Sequence, residues 1–175
     1  MTKKVIILVV CRGNIIRSPF AEAVINREFV KRGLMNNFRV ISRGTQGTTV
    51  DPIPVKFPNI TFYEKVYGFS KPTFDKFKID ITRHVSKRVD RKVAEEASII
   101  LAIDVINKIA LLKLFPDLKK KIFKLSELIN KNEDFIDPET VNGVEKYSYI
   151  LSSMNNAIVE GFPKLLRLAN INVKT

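Results

Sequence analysis

The stretch "VIILVVCRGNIIRSPFAEA", Val5–Ala23, decides how the chain folds. Six consecutive apolar residues precede Cys11, and a continuous run rich in β-branched side chains is typical of a parallel strand buried on both faces. Ser18 and Pro19 then suit the N-cap and the first position of a helix. The stretch therefore predicts a strand, a tight turn and a helix, with the only cysteine of the chain at the carboxyl end of the strand.

The rest of the chain continues this alternation of strands and helices. Further strands are predicted at Phe38–Ser42, Ser98–Ile103 and Lys121–Leu125. Helices are predicted at Ser86–Ala97, at Val105–Leu114 after an Asp104 cap, and from Asn142 onward. The last helix is expected to kink or to be interrupted at Gly161 and Pro163. The alternation predicts a doubly wound three-layer α/β/α fold with a four-stranded parallel sheet. Ligands of such folds bind beyond the carboxyl ends of the strands, which is where Cys11 lies.

Residues 51–78 form the least regular part of the sequence. Four prolines, the last of them Pro72, are expected to break any long helix there, and only Phe62–Tyr67 fits a turn or two. Aromatic side chains are dense in this segment, and we expect them to pack as a small satellite core. Residues 1–175 are thus predicted to form one domain with a divergent insert at about 51–78.

Composition excludes several classes of protein. One cysteine rules out a disulfide within the chain and a cysteine-based metal cluster, and one histidine, His84, rules out a His-rich metal site, so we expect no metal and no cofactor. The longest apolar run, Val5–Val10, is too short to span a bilayer. Because no small-residue cleavage site follows that run, we interpret it as a core strand of a cytoplasmic protein with no membrane partner.

The net charge of +12 raises the alternative of a nucleic-acid partner. The lysines are spread along the chain, however, and no recognised nucleic-acid motif accompanies them. We therefore interpret the charge as a solvated basic surface and do not expect nucleic-acid binding. A basic field would still steer a phosphorylated substrate toward the protein.

The loop from Cys11 to Ser18 has the chemistry of a phosphate cradle. A tight loop entering a helix points successive backbone N–H groups inward, and the helix dipole strengthens the resulting anion site. Gly13 and Asn14 tolerate the backbone geometry that this requires, and Arg17 supplies a planar fork for two phosphate oxygens. The same field favours a thiolate, so Cys11 is predicted to attack phosphorus as a nucleophile. The predicted phosphate-binding residues are Arg12, Gly13, Asn14, Ile15, Ile16 and Arg17.

Two other interpretations of this loop fit the sequence less well. A lone buried cysteine is usually an inert small hydrophobe, and a bare Cys-x5-Arg pattern arises often by chance. The preceding strand, the Gly-Asn pair and the Ser-Pro helix start favour the nucleophile. A nucleotide-binding P-loop is excluded because its Gly-Lys-Ser/Thr is absent.

The segment "VCRGNIIRSP", Val10–Pro19, resembles the signature of the low-molecular-weight protein tyrosine phosphatases, a family that also includes the thioredoxin-coupled arsenate reductases. The resemblance continues in order through "SRGT" (Ser42–Thr45), "IDITRHVSKRV" (Ile79–Val89), "ILAIDVIN" (Ile100–Asn107) and "IDP" (Ile136–Pro138). It spans nearly the whole chain and is weakest across residues 51–78. It implies a phosphotyrosine protein phosphatase I-like fold that hydrolyses phosphotyrosine protein or similar phosphomonoesters through a phosphocysteine.

The resemblance also implies a role for individual residues. Arg17 would bind the phosphoryl group, Ser18 would stabilise the leaving thiolate, and Asp137 would protonate the leaving oxygen and then activate water. A hydrogen-bond network would support the loop through Asn14, Ser18, Ser42 and His84.

Two further carboxylates are alternatives to Asp137 as the acid. Asp51 also precedes a proline and follows the second strand, and Asp134 lies close to Asp137 in sequence. Asp137 is favoured because it falls after the fourth strand and before the last helix, as in the family.

The sequence departs from the family at positions that bear on the substrate. Ile16 replaces the second cysteine of the family, so neither a disulfide with Cys11 nor the arsenate-reductase relay can form. Ile15 stands where phosphoarginine-preferring members carry threonine, which favours aryl phosphates and leaves phosphoarginine as an alternative. Glu139 and Thr140 stand where eukaryotic-type members carry aromatic rings. Aromatic residues of the insert are therefore expected to supply a wall of the substrate slot, with candidates Phe57, Tyr63 and Tyr67.

A second hypothesis is that the protein is not an enzyme but a phosphate-binding or regulatory protein. Such a protein would keep the phosphate cradle and have little catalytic activity. The joint presence of Cys11, Arg17, Ser18 and Asp137 favours the enzyme, because a protein that only binds phosphate has less need of all four.

Overall fold

The structure, a computed structural model, describes residues 4–137 and 142–171. Its strands are β1 (Val5–Cys11), β2 (Phe38–Gly44), β3 (Ile99–Ala102) and β4 (Ile122–Lys124). Its α-helices are α1 (Arg17–Lys31), α2 (Glu64–Phe77), α3 (Arg91–Glu96), α4 (Val105–Leu114) and α5 (Val144–Ile171). The strands form one parallel sheet in the order β2-β1-β3-β4, which confirms the predicted four-stranded sheet.

Strand β1 lies in the middle of the sheet and is buried on both faces. Its side chains alternate between the two layers of helices, as the pleat of a strand requires. Ile7, Val9 and Cys11 share a core with α1, α2 and α5, whereas Leu8 and Val10 share one with α3 and α4. This arrangement is the predicted three-layer α/β/α fold.

The register of the sheet brings three strand ends together at one edge. Cys11 of β1 pairs with Gly44 of β2, and Val10 pairs with Ala102 of β3. Because all the strands are parallel, residues that follow these ends meet at the same edge. The side chain of Asp104 begins α4 there by accepting a hydrogen bond from the Asn107 N–H at 2.7 Å, as predicted.

The start of α1 differs from the prediction. The helix begins at Arg17, so Ser18 lies inside the first turn and is not the N-cap. The physical reason is that the Ser18 hydroxyl contacts other side chains of the loop, and no side chain caps the helix by a hydrogen bond. The end of α1 is as expected, because Gly33 takes a positive φ of 68° directly after the C-cap residue Arg32.

The prediction that prolines break the insert is wrong for its second half. Helix α2 runs for 14 residues with Pro72 inside it. Proline removes one hydrogen bond of the helix, and tertiary packing offsets that loss. Phe74 stacks on Phe20 with ring centroids 5.9 Å apart, and Phe69 contacts Tyr147 at 5.4 Å. The aromatic side chains of α2 therefore belong to the main core and not to a satellite core.

Two further helix predictions need correction. Only Arg91–Glu96 of the predicted helix at 86–97 is helical, because the side chain of Asp90 caps it by accepting from the Val93 N–H at 2.9 Å. The expected interruption of the last helix at Gly161 and Pro163 is wrong, because helix α5 continues through both residues. A Cβ atom on Gly161 would lie 2.5 Å from Leu128 Cβ, so glycine lets α5 pack closely on the 3₁₀ turn Leu125–Ile129. Within residues 4–137 and 142–171, every helix is too short or too polar to span a bilayer.

Candidate active site

The loop between β1 and α1 surrounds a small cavity at the carboxyl edge of the sheet. Asn14 takes a positive φ of 55°, as the sequence allowed. A Cβ atom on Gly44 would lie 2.6 Å from the Arg12 carbonyl oxygen, so only glycine lets the loop rest against the end of β2. The cavity has a volume of about 30 Å³, room for one small polyatomic ion. Its lining residues are Cys11, Arg12, Gly13, Ile15, Ile16, Arg17, Gln46 and Asp137.

The sulfur atom of Cys11 faces hydrogen-bond donors. The Asn14 backbone N–H donates to Cys11 Sγ at 3.3 Å, and Ser18 Oγ lies 3.0 Å from the same sulfur. Ser18 Oγ accepts a hydrogen bond from Asn14 Nδ2 at 2.9 Å, so its own proton can point at the sulfur or at the Arg43 carbonyl oxygen, which lies 3.4 Å away. Two donors can therefore stabilise a negative charge on Cys11.

The side chain of Asn14 connects the loop to the elements behind it. Its Nδ2 also donates to Ser42 Oγ at 3.0 Å, and its Oδ1 accepts from the Lys87 backbone N–H at 2.9 Å. His84 Nε2 lies 3.0 Å from the Asn14 carbonyl oxygen and 3.1 Å from its Oδ1. Since both partners are acceptors, His84 Nε2 must carry the proton. The structure thus brings together the four residues of the expected network.

Burial keeps His84 uncharged. Burial lowers its pKa, the hydrogen bond with the Asn14 backbone acts in the opposite direction, and the charges of Arg43 and Lys87 lower it further. Together these effects lower the pKa of His84 below the ordinary value for histidine. His84 is therefore a neutral donor near pH 7, in keeping with a supporting position behind the loop.

The sequence analysis did not identify two members of this network, Glu22 and Ser86. Ser42 Oγ donates to Glu22 Oε2 at 2.6 Å, and Ser86 Oγ donates to the Gly13 carbonyl oxygen at 2.7 Å. Burial raises the pKa of Glu22 above its usual value, although the hydrogen bond from Ser42 and the charges of Arg43 and Arg39 oppose it. Glutamate in a helix is normally solvated, so no sequence pattern indicates this contact.

The side chain of Arg17 lines the cavity and is 4 % exposed. It donates to Asp104 Oδ2 at 2.6 Å, to the Phe135 carbonyl oxygen at 3.1 Å and to the carboxylate of Asp137. Burial alone would lower its pKa, but the charges of Cys11, Asp137 and Asp104 outweigh burial and raise the pKa. Arg17 is consequently a fixed cation at the cavity. The sequence identified Asp104 only as a helix cap, yet its place after β3 at the same sheet edge was a usable signal.

The three candidate acids occupy different positions. Asp137 lines the cavity together with Cys11 and is 29 % exposed at its side chain. Asp51 lies at the rim, where its Oδ2 accepts from Arg12 Nε at 2.9 Å. Asp134 accepts from Lys124 Nζ at 2.9 Å and from the Val105 N–H at 3.0 Å. Of these three carboxylates only Asp137 lines the same cavity as the sulfur; Glu139 and Thr140 lie outside the described residues.

A larger cleft of about 450 Å³ adjoins the cavity and shares Arg12, Arg17 and Asp137 with it. Its described lining contains no aromatic residue, so the expectation that the insert supplies an aromatic wall is wrong. Phe57 stacks on Phe62 with centroids 5.6 Å apart and contacts the Tyr63 ring, while Tyr67 packs against the main core. The other lining residues of the cleft are Thr45, Val50, Asp51, Asp104, Ile106, Asn107, Ala110, Asp134 and Ile136.

We expect Ser18→Ala to lower kcat by about 10- to 100-fold, since a hydrogen bond to a charged group contributes about 1.5–3 kcal/mol. The reason is that alanine removes the hydroxyl donor facing Cys11 Sγ. Steady-state kinetics on an aryl phosphate measures the effect. Ser70→Ala is the matched control, because the Ser70 hydroxyl is also buried but donates only to the Val66 carbonyl oxygen inside α2. Equal kcat values for both variants would refute a role of Ser18 in supporting the thiolate.

Metal ligands are not grouped within the described residues: no three side chains of His, Cys, Asp or Glu lie together there in a way that could hold an ion.

Comparison with known proteins identifies the family. A family model described as low molecular weight phosphotyrosine protein phosphatase matches residues 6–170. The low molecular weight protein-tyrosine-phosphatase PtpA of Staphylococcus aureus (strain Newman) is 30 % identical over 151 residues, covering 85 % of this chain and 88 % of the relative.

Solved structures agree in fold. A YwlE mutant from Bacillus subtilis has a TM-score of 0.75 at 23 % identity and covers 94 % of this chain and 99 % of its own. The low molecular weight protein tyrosine phosphatase from T. tengcongensis has a TM-score of 0.74 at 25 % identity, and the match covers 92 % of this chain and 99 % of that chain. The chain belongs to the low molecular weight phosphotyrosine protein phosphatase family.

Proposed function

We propose that the protein is a phosphatase that hydrolyses phosphotyrosine protein, or a similar aryl phosphomonoester, through a phosphocysteine on Cys11. The observation that carries this proposal is the position of Cys11 Sγ. The sulfur lies 3.3 Å from the Asn14 N–H and 3.0 Å from Ser18 Oγ, in a cavity also lined by Arg17 and Asp137. Membership of the family supports the same chemistry.

In the first step the Cys11 thiolate attacks phosphorus, so that an S–P bond forms while the P–O bond to the leaving group breaks. The loop N–H groups and the fork of Arg17 bind the remaining phosphoryl oxygens. Arg17 must then exchange its contact with Asp137 for the phosphoryl group, while Asp104 and the Phe135 carbonyl hold it in place. Asp137, released from the cation, takes up a proton from solvent and donates it to the leaving oxygen.

In the second step water attacks the phosphocysteine. Asp137, now ionised, takes a proton from that water, and the S–P bond breaks to release inorganic phosphate. The hydroxyl of Ser18 and the Asn14 N–H stabilise the departing thiolate. The residues present therefore suffice for both steps without a cofactor.

A thiolate nucleophile works only in its reduced form, which supports the proposal that the protein acts in the cytoplasm. Its partners would be phosphorylated proteins or small aryl phosphates, with inorganic phosphate and other oxyanions as ligands of the cavity. The net charge of +12 would steer such anions to the protein. Nucleic-acid binding is not part of the proposal, because no recognised nucleic-acid motif accompanies the charge.

A substrate panel tests the proposal. The panel contains phosphotyrosine, phosphoarginine and phosphoserine peptides and arsenate, with a metal chelator present throughout. We expect phosphotyrosine to be hydrolysed fastest and the reaction to be inhibited by vanadate. Phosphate binding without turnover would favour the catalytically weak regulatory protein, and turnover of phosphoarginine alone would contradict an aryl substrate.

A further inference from the structure

A lysine side chain is buried at the carboxyl end of β4, beside the segment that carries the proposed acid. The side chain of Lys124 is only 5 % exposed. Lysine is almost never buried to this degree unless its ammonium group has a partner, because removing an unpaired charge from water costs free energy. Lys124 takes no part in the attack of Cys11 or in the hydrolysis of the phosphocysteine, so its burial calls for another explanation.

The ammonium group of Lys124 binds the chain a few residues before Asp137. Lys124 Nζ donates to Asp134 Oδ1 at 2.9 Å and to the Glu133 carbonyl oxygen at 3.4 Å. Asp134 Oδ1 also accepts from the Val105 N–H at 3.0 Å, which ties the same residue to the start of α4. These contacts join the segment to the ends of two elements of the sheet edge.

The segment has little support from its own main chain. Glu133–Ile136 is neither helix nor strand, and within residues 4–137 and 142–171 no hydrogen bond between main-chain atoms joins it to another residue. Phe135 fixes its middle, since the ring is buried in the main core and the carbonyl oxygen accepts from Arg17 at 3.1 Å. Side chains therefore set the position of the segment, and Lys124 acts on its first half.

We propose that Lys124 is a positioning residue that holds the segment Glu133–Asp137 so that the Asp137 carboxyl group stays within reach of the leaving oxygen. This inference rests on the proposed function, because it concerns how the proposed acid meets the substrate. Lys124 lines neither the cavity nor the cleft, so it acts through the segment. Proton transfer requires hydrogen-bond reach, and a misplacement of about 1 Å can cost about 100-fold in rate.

The exchange of partners at Arg17 makes this anchor necessary. The phosphoryl group takes the place of the Asp137 carboxylate on Arg17, so the ion pair that holds the acid in the free enzyme is lost when substrate binds. The pair between Lys124 and Asp134 does not involve Arg17 and persists through the exchange. It keeps the released carboxyl group at the cavity.

Two phosphate esters with different leaving groups test the inference. p-Nitrophenolate departs without protonation, whereas phenolate needs the proton of Asp137. We expect Lys124→Met to reduce kcat/KM for phenyl phosphate by about 10-fold, less than a full 1 Å misplacement costs, and to change kcat/KM for p-nitrophenyl phosphate little. Methionine keeps the apolar stem, and the Asp134 side chain is 34 % exposed and stays hydrated, so the variant should fold.

Lys121→Met is the matched control. Lys121 directly precedes β4 and is also partly buried, but its Nζ donates to the Glu95 and Ala97 carbonyl oxygens at 2.8 and 2.7 Å. These partners lie at the opposite end of the strand from Asp137. We therefore expect Lys121→Met to keep the wild-type ratio of the two kcat/KM values.

A second variant breaks the same pair from its exposed side. Asp134→Ala removes both acceptor oxygens and should reproduce the selective loss of Lys124→Met for phenyl phosphate. Asp134→Asn keeps one acceptor oxygen and should have a smaller effect. An unchanged ratio of the two kcat/KM values in both Lys124→Met and Asp134→Ala, or an equal change in Lys121→Met, would overturn the inference.

A measurement without turnover separates this inference from the proposed function. The heteronuclear NOE of the Glu133–Asp137 amides reports their mobility, and we expect lower values in Lys124→Met than in the wild type or Lys121→Met. Unchanged NOE values in Lys124→Met would also overturn the inference. A wild-type protein that hydrolyses neither ester would contradict the proposed function, whereas lower NOE values in Lys124→Met would still support the anchoring of the segment by Lys124.

Discussion

Replacing Cys11 with serine is expected to lower kcat for aryl phosphates by roughly 10⁴-fold or more, the scale of losing a catalytic nucleophile. The reason is electrostatic. The Asn14 N–H and the Ser18 hydroxyl face the sulfur position at 3.3 and 3.0 Å and stabilise an anion there, and a serine hydroxyl does not ionise near neutral pH. Phosphorus would then meet a neutral hydroxyl instead of a thiolate.

Two measurements make this result interpretable. Steady-state kinetics gives kcat, and calorimetry with inorganic phosphate reports whether the cavity is intact. We expect the dissociation constant of phosphate in Cys11→Ser to stay close to that of the wild type, because Arg17 and the loop N–H groups bind the oxygens. Turnover near the wild-type rate would refute the nucleophilic role of Cys11.

Asp137→Asn has the second large effect. We expect kcat for a phosphotyrosine peptide to fall by about 10²- to 10⁴-fold, as is typical for loss of a general acid–base group. Asparagine neither protonates the phenolic oxygen nor accepts a proton from water. The same change removes a carboxylate from Arg17, so inorganic phosphate should bind more tightly than to the wild type.

Asp51→Asn and Asp134→Asn are the matched controls for Asp137→Asn. Both are carboxylates of the adjoining cleft, and both have cationic partners, Arg12 and Lys124. Each control should reduce kcat far less than Asp137→Asn. A larger loss in Asp51→Asn would show that Asp51 is the acid and would contradict our assignment.

Local signals explain how much of the fold could be predicted. The apolar run of β1, the Gly-Asn pair and the Ser-Pro at the start of α1 each act over a few residues, and together they located Cys11 at the edge of the sheet. Parallel pairing then followed from the alternation of strands and helices. These features depend on neighbours in sequence, which is why sequence reasoning reaches them.

Contacts between distant segments account for most of what the sequence did not show. The bond from Arg17 to Asp104 joins residues 87 positions apart, and the bond from Ser42 to Glu22 joins α1 to β2. Pro72 is tolerated inside α2 because Phe74 packs on Phe20. Helix propensities describe single residues and do not include the free energy of this contact. The lining of the cleft by Ile106 likewise depends on how α4 is placed beside the cavity.

Trapping the phosphoenzyme tests directly whether Cys11 carries the phosphoryl group. Asp137→Asn is mixed with p-nitrophenyl phosphate, whose leaving group departs without protonation, so the first step proceeds and hydrolysis of the intermediate becomes slow. The reaction is quenched with acid and the peptides are analysed by mass spectrometry. We expect one phosphoryl group on Cys11 and none in Cys11→Ser. A phosphoryl group on any other residue, or a burst of p-nitrophenol with unmodified Cys11, would contradict it.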